Sequence, residues 1–97
     1  MSILGGVQKA AVERKKFVVD YTRWLEDEEL LVAFTIATTP VTDTPLEVSG
    51  GFIDSGARKI IFYLGAGQAG YNYAVRLIAQ TSIGQQKLDQ LNMGVTA

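Results

Sequence analysis

Cysteine and histidine are both absent from the 97 residues, and proline occurs only twice. Their absence removes disulfides, thiolate and imidazole nucleophiles, zinc sites of the Cys or His type and axial haem ligation. Carboxylates, lysines and hydroxyls are all that remain for chemistry, and no two of them stand at a motif spacing. No catalytic residue, metal ligand set or cofactor is therefore assigned, and the composition leans against an enzyme. An excess of one charge is missing too: 9 Lys and Arg face 10 Asp and Glu, for a net charge of -1. Duplex binding needs a basic excess on one face, so nucleic acid is not an expected partner. Nor does any apolar run approach the ~20 residues of a membrane span. Residues 1–12 lack the apolar stretch of a secretory signal.

What is present is enough for one folded unit. A length near 100 residues is a single domain, and 47% apolar residues place it among globular chains. The pattern is of strands. Lys16-Phe17-Val18-Val19-Asp20-Tyr21 alternates, with Phe17, Val19 and Tyr21 on one side. Residues 30–38 are rich in β-branched and aromatic types, and Leu30, Val32, Phe34 and Ile36 are expected inward. Pro40 and Pro45 bracket a loop, because proline cannot donate into a central ladder. Leu46-Glu47-Val48-Ser49 and Phe52-Ile53-Asp54 read as two short strands separated by Gly50-Gly51, and Gly56 is expected to take the positive φ of the next turn. Residues 59–64 and 71–81 follow as strands, and residues 86–93 as a last, poorly patterned one. About seven strands, with turn signals every 8 to 12 residues or so, point to a sandwich or barrel.

The stretch Gly70-Tyr71-Asn72-Tyr73-Ala74-Val75-Arg76-Leu77-Ile78-Ala79-Gln80-Thr81-Ser82-Ile83-Gly84 resembles the penultimate strand of fibronectin type III and other immunoglobulin-like modules. The resemblance implies an all-β fold, an immunoglobulin-like antiparallel β-sandwich of about seven strands, with Tyr73 at the tyrosine corner. A wider set also carries a likeness: Leu4-Gly5-Gly6-Val7-Gln8-Lys9 with Glu13-Arg14, then Val19-Asp20-Tyr21-Thr22-Arg23-Trp24-Leu25, then Thr81-Ser82-Ile83-Gly84-Gln85. Together these resemble small virion accessory proteins of tailed bacteriophages. The chain departs from that pattern in its weak last strand and in Lys9-Ala10-Ala11-Val12. The resemblance implies a non-catalytic structural protein in the virion, assembled in the host cytoplasm, whose partners are other virion proteins of tail, fibre or capsid.

Two features are weighed for function. Gly65-Ala66-Gly67-Gln68-Ala69-Gly70 spells the dinucleotide fingerprint, but that motif must open a helix, and here it opens a strand. It is read as a β–β connection. More telling is apolar surplus: a lone two-sheet domain keeps its outer faces polar, yet several strands are apolar on both sides. Leu31, Tyr63 and Ile78 are the expected outer-face contacts. Ile3, Leu4 and Val7 are expected to add to them from an N-terminal arm, residues 1–12, ahead of a sandwich at residues 13–97. Deleting residues 1–6 is expected to leave a folded monomer that no longer enters particles. A multi-copy or homo-oligomeric assembly is expected. The basic run Arg14, Lys15 and Lys16 and the acidic run at residues 26–29 are read first as solvated surface, with complementary patches that register neighbouring copies as the alternative. Trp24 is expected to plug one end of the core. Two other readings stand beside docking on tail or fibre. One is capsid decoration. The other is a glycan-binding module using Trp24, Tyr71 and residues 65–70.

Overall fold

The computed structural model describes residues 2–97, with side chains from Gly6 onward. Seven strands form: β1 (Ser2–Ala10), β2 (Lys15–Asp20), β3 (Leu31–Thr39), β4 (Leu46–Ile53), β5 (Lys59–Ala66), β6 (Asn72–Thr81) and β7 (Gln86–Thr96). They lie in two sheets, a four-stranded one in the order β1-β7-β6-β3 and a three-stranded one in the order β2-β5-β4. No helix occurs among the described residues.

The alternation of side chains builds the core directly. From the small sheet, Ile60, Phe62 and Leu64 of β5 point inward, and the Phe17 ring of β2 stacks on Phe62 at 5.7 Å. From the large sheet, Tyr73, Val75, Leu77 and Ala79 of β6 meet them, beside Leu91, Met93 and Val95 of β7. Four of the five strand pairs are antiparallel. The exception corrects the expectation of a wholly antiparallel arrangement: β1 runs parallel to β7, from Ser2 opposite Asp89 to Ala10 opposite Thr96. After β1 the chain crosses to the other sheet instead of turning back in a hairpin, so no hairpin imposes an antiparallel neighbour.

Two bulges change what the alternation implied. Register slips between Leu31 and Ala33, which turns Leu31 into the core at 3% exposure and leaves Leu30 and Val32 exposed. Phe34 and Ile36 keep the inward side. On β4 the slip between Ser49 and Phe52 contains Gly50, at φ +61°, so the two expected short strands are one bulged strand. In the following turn the positive φ falls on Ala57, at 55°, and not on Gly56.

Polar ties close both ends. Tyr21, just after β2, is buried, and its hydroxyl donates to Asp89 Oδ2 of β7 at 3.0 Å, which links the two sheets. Lys87 Nζ lies 3.6 Å from the other Asp89 oxygen. Burial, first, and the Asp89 carboxylate, second, push the Tyr21 phenol well above its ordinary value near 10. A raised folded-state pKa contributes stability that is complete below the unfolded value and is lost as pH climbs through the alkaline range. Tyr21→Phe is expected to cost about 1.5–3 kcal/mol at neutral pH, because it strips a carboxylate of its buried donor. Thermal melts from pH 7 to beyond pH 10 are expected to show the gap between wild type and variant narrowing as pH rises.

At the opposite end Tyr73 is the anchor. Its hydroxyl accepts from Gln68 N at 2.8 Å and shares a 2.6 Å bond with Thr42 Oγ1, tying β6 to the loops on either side. Lys9 is buried beside it, its ammonium donating to the carbonyls of Ala66 and Ala10. Burial holds the Lys9 pKa below its usual range, against the opposing pull of Glu13.

Candidate docking face

The outer face of the three-stranded sheet carries the surplus. Register sets Val18 of β2 and Phe52 of β4 on either side of Ile61 of β5, in one cross-strand row. Val18 is 50% exposed and Phe52 49%, whereas Ile61 between them is 8% exposed. Three large apolar side chains on the water side of a sheet are unusual for an isolated domain.

The next row along is Lys16, Tyr63 and Ser49. Arg14 covers it: its guanidinium carbon stands 4.0 Å from the Tyr63 ring centroid, and its Nε and Nη2 donate to Ser49 Oγ at 3.2 and 3.1 Å. The Gly50 bulge makes room, since a Cβ there would stand 2.9 Å from Tyr63 Cδ1. On the other side of the apolar row lie Lys59 and, opposite it, Asp20. Asp20 is held by the Thr22 hydroxyl at 2.5 Å and the Thr22 amide at 2.9 Å. Those bonds keep its carboxyl below the usual range, so it stays charged. The face is thus an apolar row with Arg14 and Lys16 on one flank and the Lys59–Asp20 row on the other.

The residues expected to make contacts do not form one surface. Tyr63 belongs to this face but is half-buried beneath Arg14. Ile78, 36% exposed, lies on the outer face of the other sheet, opposite Thr35 and Leu88. Leu31 is withdrawn from any outer face by its bulge, which corrects its place among them. Val7 is half-buried against the core and lines an open groove of about 850 Å³ with Gln8, Asn72, Asn92 and Gly94. The side chains of Ile3 and Leu4 lie outside the described residues; their backbone is in β1.

The acidic run is also divided. Glu29 is buried, and its Oε1 accepts from Glu26 N at 3.0 Å, while residues 26–28 stay exposed. Trp24 packs edge-on against Tyr21, with centroids 6.0 Å apart. Tyr71 bonds through its backbone to Val95, and Tyr21 through its side chain to Asp89. Six residues of strand separate those two points on β7, about 20 Å, so Trp24 and Tyr71 share no sugar platform.

Of this row, sequence reasoning reaches Ile61, as one of the pair Ile61 or Phe62 left over for an outer face, but not Val18 or Phe52. The signal was present in Val18, which sits on the wet side of the Phe17–Val19–Tyr21 alternation. For Phe52 the bulge decides the face, and a bulge is not legible from spacing.

Comparison with known proteins identifies the family. Residues 9–93 match the model of the family described as "Podophage GP4 fiber-tail adaptor protein gp77". The chain belongs to that family. No individual curated protein matches it. Membership in the podophage fibre-tail adaptor family makes the chain a virion accessory protein of a phage, with other virion proteins at tail and fibre as its neighbours. Capsid decoration and glycan binding draw no support from the fibre-tail adaptor family.

Proposed function

We infer that the chain works as a non-catalytic joint between tail and fibre, and that the outer face of the three-stranded sheet seats one of these two virion partners. Val18 and Phe52, exposed on either side of the buried Ile61, carry the reading, because they are apolar area that a solitary domain has least reason to keep in water. Their surroundings define the chemistry of the occupant: an apolar knob or ridge with carboxylates placed to meet Arg14 and Lys16. The strand order supports an immunoglobulin-like sandwich as the scaffold. With β2 to β7 taken as strands B to G, the sheets contain B-E-D and C-F-G, with β1 added beside the last strand.

The test is a paired substitution, Val18→Lys with Phe52→Lys, assayed for binding to purified tail and to purified fibre. Both positions are half-exposed, so the melting temperature is expected to move little. Binding to one of the two partners is expected to fall at least tenfold or so, as charges are left buried at the contact. Unchanged binding to both partners overturns the assignment of this face.

A further inference from the structure

A sheet edge presents unpaired amides and carbonyls, and soluble proteins blunt such edges with lysine, proline or a bulge. Three of the four edges are treated that way. β2 carries Lys15, Lys16 and Asp20; β4 has its Gly50 bulge and Glu47; β1 has a register shift between Ile3 and Gly5. β3 is different. Among the described residues it pairs only with β6, and from Ala33 to Thr39 its register runs without interruption. That stretch, Ala33-Phe34-Thr35-Ile36-Ala37-Thr38-Thr39, contains neither a charge nor a proline.

The core is open along the same edge. Phe34 and Ile36 point inward and pack on the core, yet both stay half-buried because no strand lies beyond them. Exposed apolar residues mark the two ends of the edge: Val32, 57% exposed, at one end and Val41, 90% exposed, just past Pro40 at the other.

We propose that this edge pairs antiparallel with the same edge of a second copy, about a two-fold axis at Ile36, the middle residue of the stretch. Antiparallel pairing about residue 36 sets Ile36 against Ile36, Phe34 against Thr38 and Thr35 against Ala37 of the second copy. Every inward side chain then meets an inward one, and two four-stranded sheets become one of eight strands with a continuous core face. The same operation brings exposed Val32 opposite Pro40 of the second copy, next to its Val41, so the stray apolar residues cover each other. The charge pattern permits self-pairing, and the inward-to-inward match about Ile36 makes a second copy the occupant that fits this edge. A two-fold contact sets like charges close to each other, and the β3 edge has none to repel, whereas the β2 edge repeats Lys15 and Lys16.

The test measures association of the full chain by sedimentation equilibrium, with two variants. Thr35→Lys with Ala37→Lys places four ammonium groups across the seam on exposed positions. It is expected to keep the wild-type melt of the monomer fold and to weaken the dimer at least about tenfold. Thr35→Cys with Ala37→Cys puts the only thiols in the chain opposite each other at disulfide distance, so mild oxidation is expected to yield a covalent dimer. Val12→Cys, at a 95% exposed turn remote from the seam, is expected to cross-link far less. A wild-type chain that stays monomeric overturns the proposal. So does a dimer insensitive to the lysines, or a thiol pair that cross-links no better than Val12→Cys. The lysine variant is also run against tail and fibre. It leaves the Val18–Phe52 face intact, so failure of this proposal and failure of the docking face are read separately.

Discussion

Deleting residues 1–10 is expected to unfold the chain or drive it into aggregates, and not to release a trimmed, soluble monomer. The eight register pairs between β1 and β7 would be lost together. At about 1 kcal/mol net for each ladder bond, the sum approaches the whole reserve of about 5–15 kcal/mol that keeps a small domain folded. Further losses add to it. Val7 leaves the margin of the core, and the carbonyl of Ala66 loses the Lys9 ammonium that satisfies it. β7 would then become an edge, and a new open edge invites pairing with other chains. The shorter deletion of residues 1–6 removes only the first pairs, from Ser2 opposite Asp89 to Gly6 opposite Asn92. It is expected to lower the melting temperature measurably while leaving Lys9 in place. Circular dichroism melts and light scattering of the two truncations distinguish a strand from a detachable arm. If the chain lacking residues 1–10 melts like wild type, β1 has no structural part to play.

That outcome bears on what the amino-acid order reveals. The strands β2 and β6 are legible because each alternates, and β5 because it is a short continuous apolar run; all three are bounded by turn chemistry. β1 is not legible, because Gly5-Gly6 reads as a break and its partner lies some 87 residues away. Parallel neighbours leave no hairpin signal. β7 hides for a different reason. Its inward set is Asp89, Leu91, Met93 and Val95, and the first of these is a carboxylate where the pattern calls for an apolar residue. Only the structure shows that Tyr21 waits there to satisfy it. The docking face was half legible. Apolar surplus on outer faces was visible in the composition of the strands, but which residues make it depends on two bulges. One bulge removes Leu31 from the surface and the other fixes Phe52 on it.

The glycine-spaced loop gives the second large effect and explains why its letters mislead. Gly67 takes φ +90°, and a Cβ added there would stand 2.9 Å from Val95 Cγ2 and 3.2 Å from Leu46 Cδ1. Its amide donates to Pro45 O at 3.2 Å, so the backbone is drawn tightly against the end of the core. Gly70 takes nearly the same φ, +89°, but faces open space. The two glycines therefore separate two costs. Gly70→Ala is expected to lose about 1–2 kcal/mol, the backbone penalty of a side chain in that region. Gly67→Val adds overpacking of about 1–3 kcal/mol to a backbone penalty at least as large, for a total of about 2–5 kcal/mol. Since about 1 kcal/mol moves the melting temperature of a domain this size by roughly 4–8 °C, the variants are expected to stand well apart in a thermal melt. Equal melting temperatures for the two would mean that the Val95–Leu46 contact yields freely. In that case the loop would be shaped by backbone conformation alone, and the letters of the motif would reflect only that.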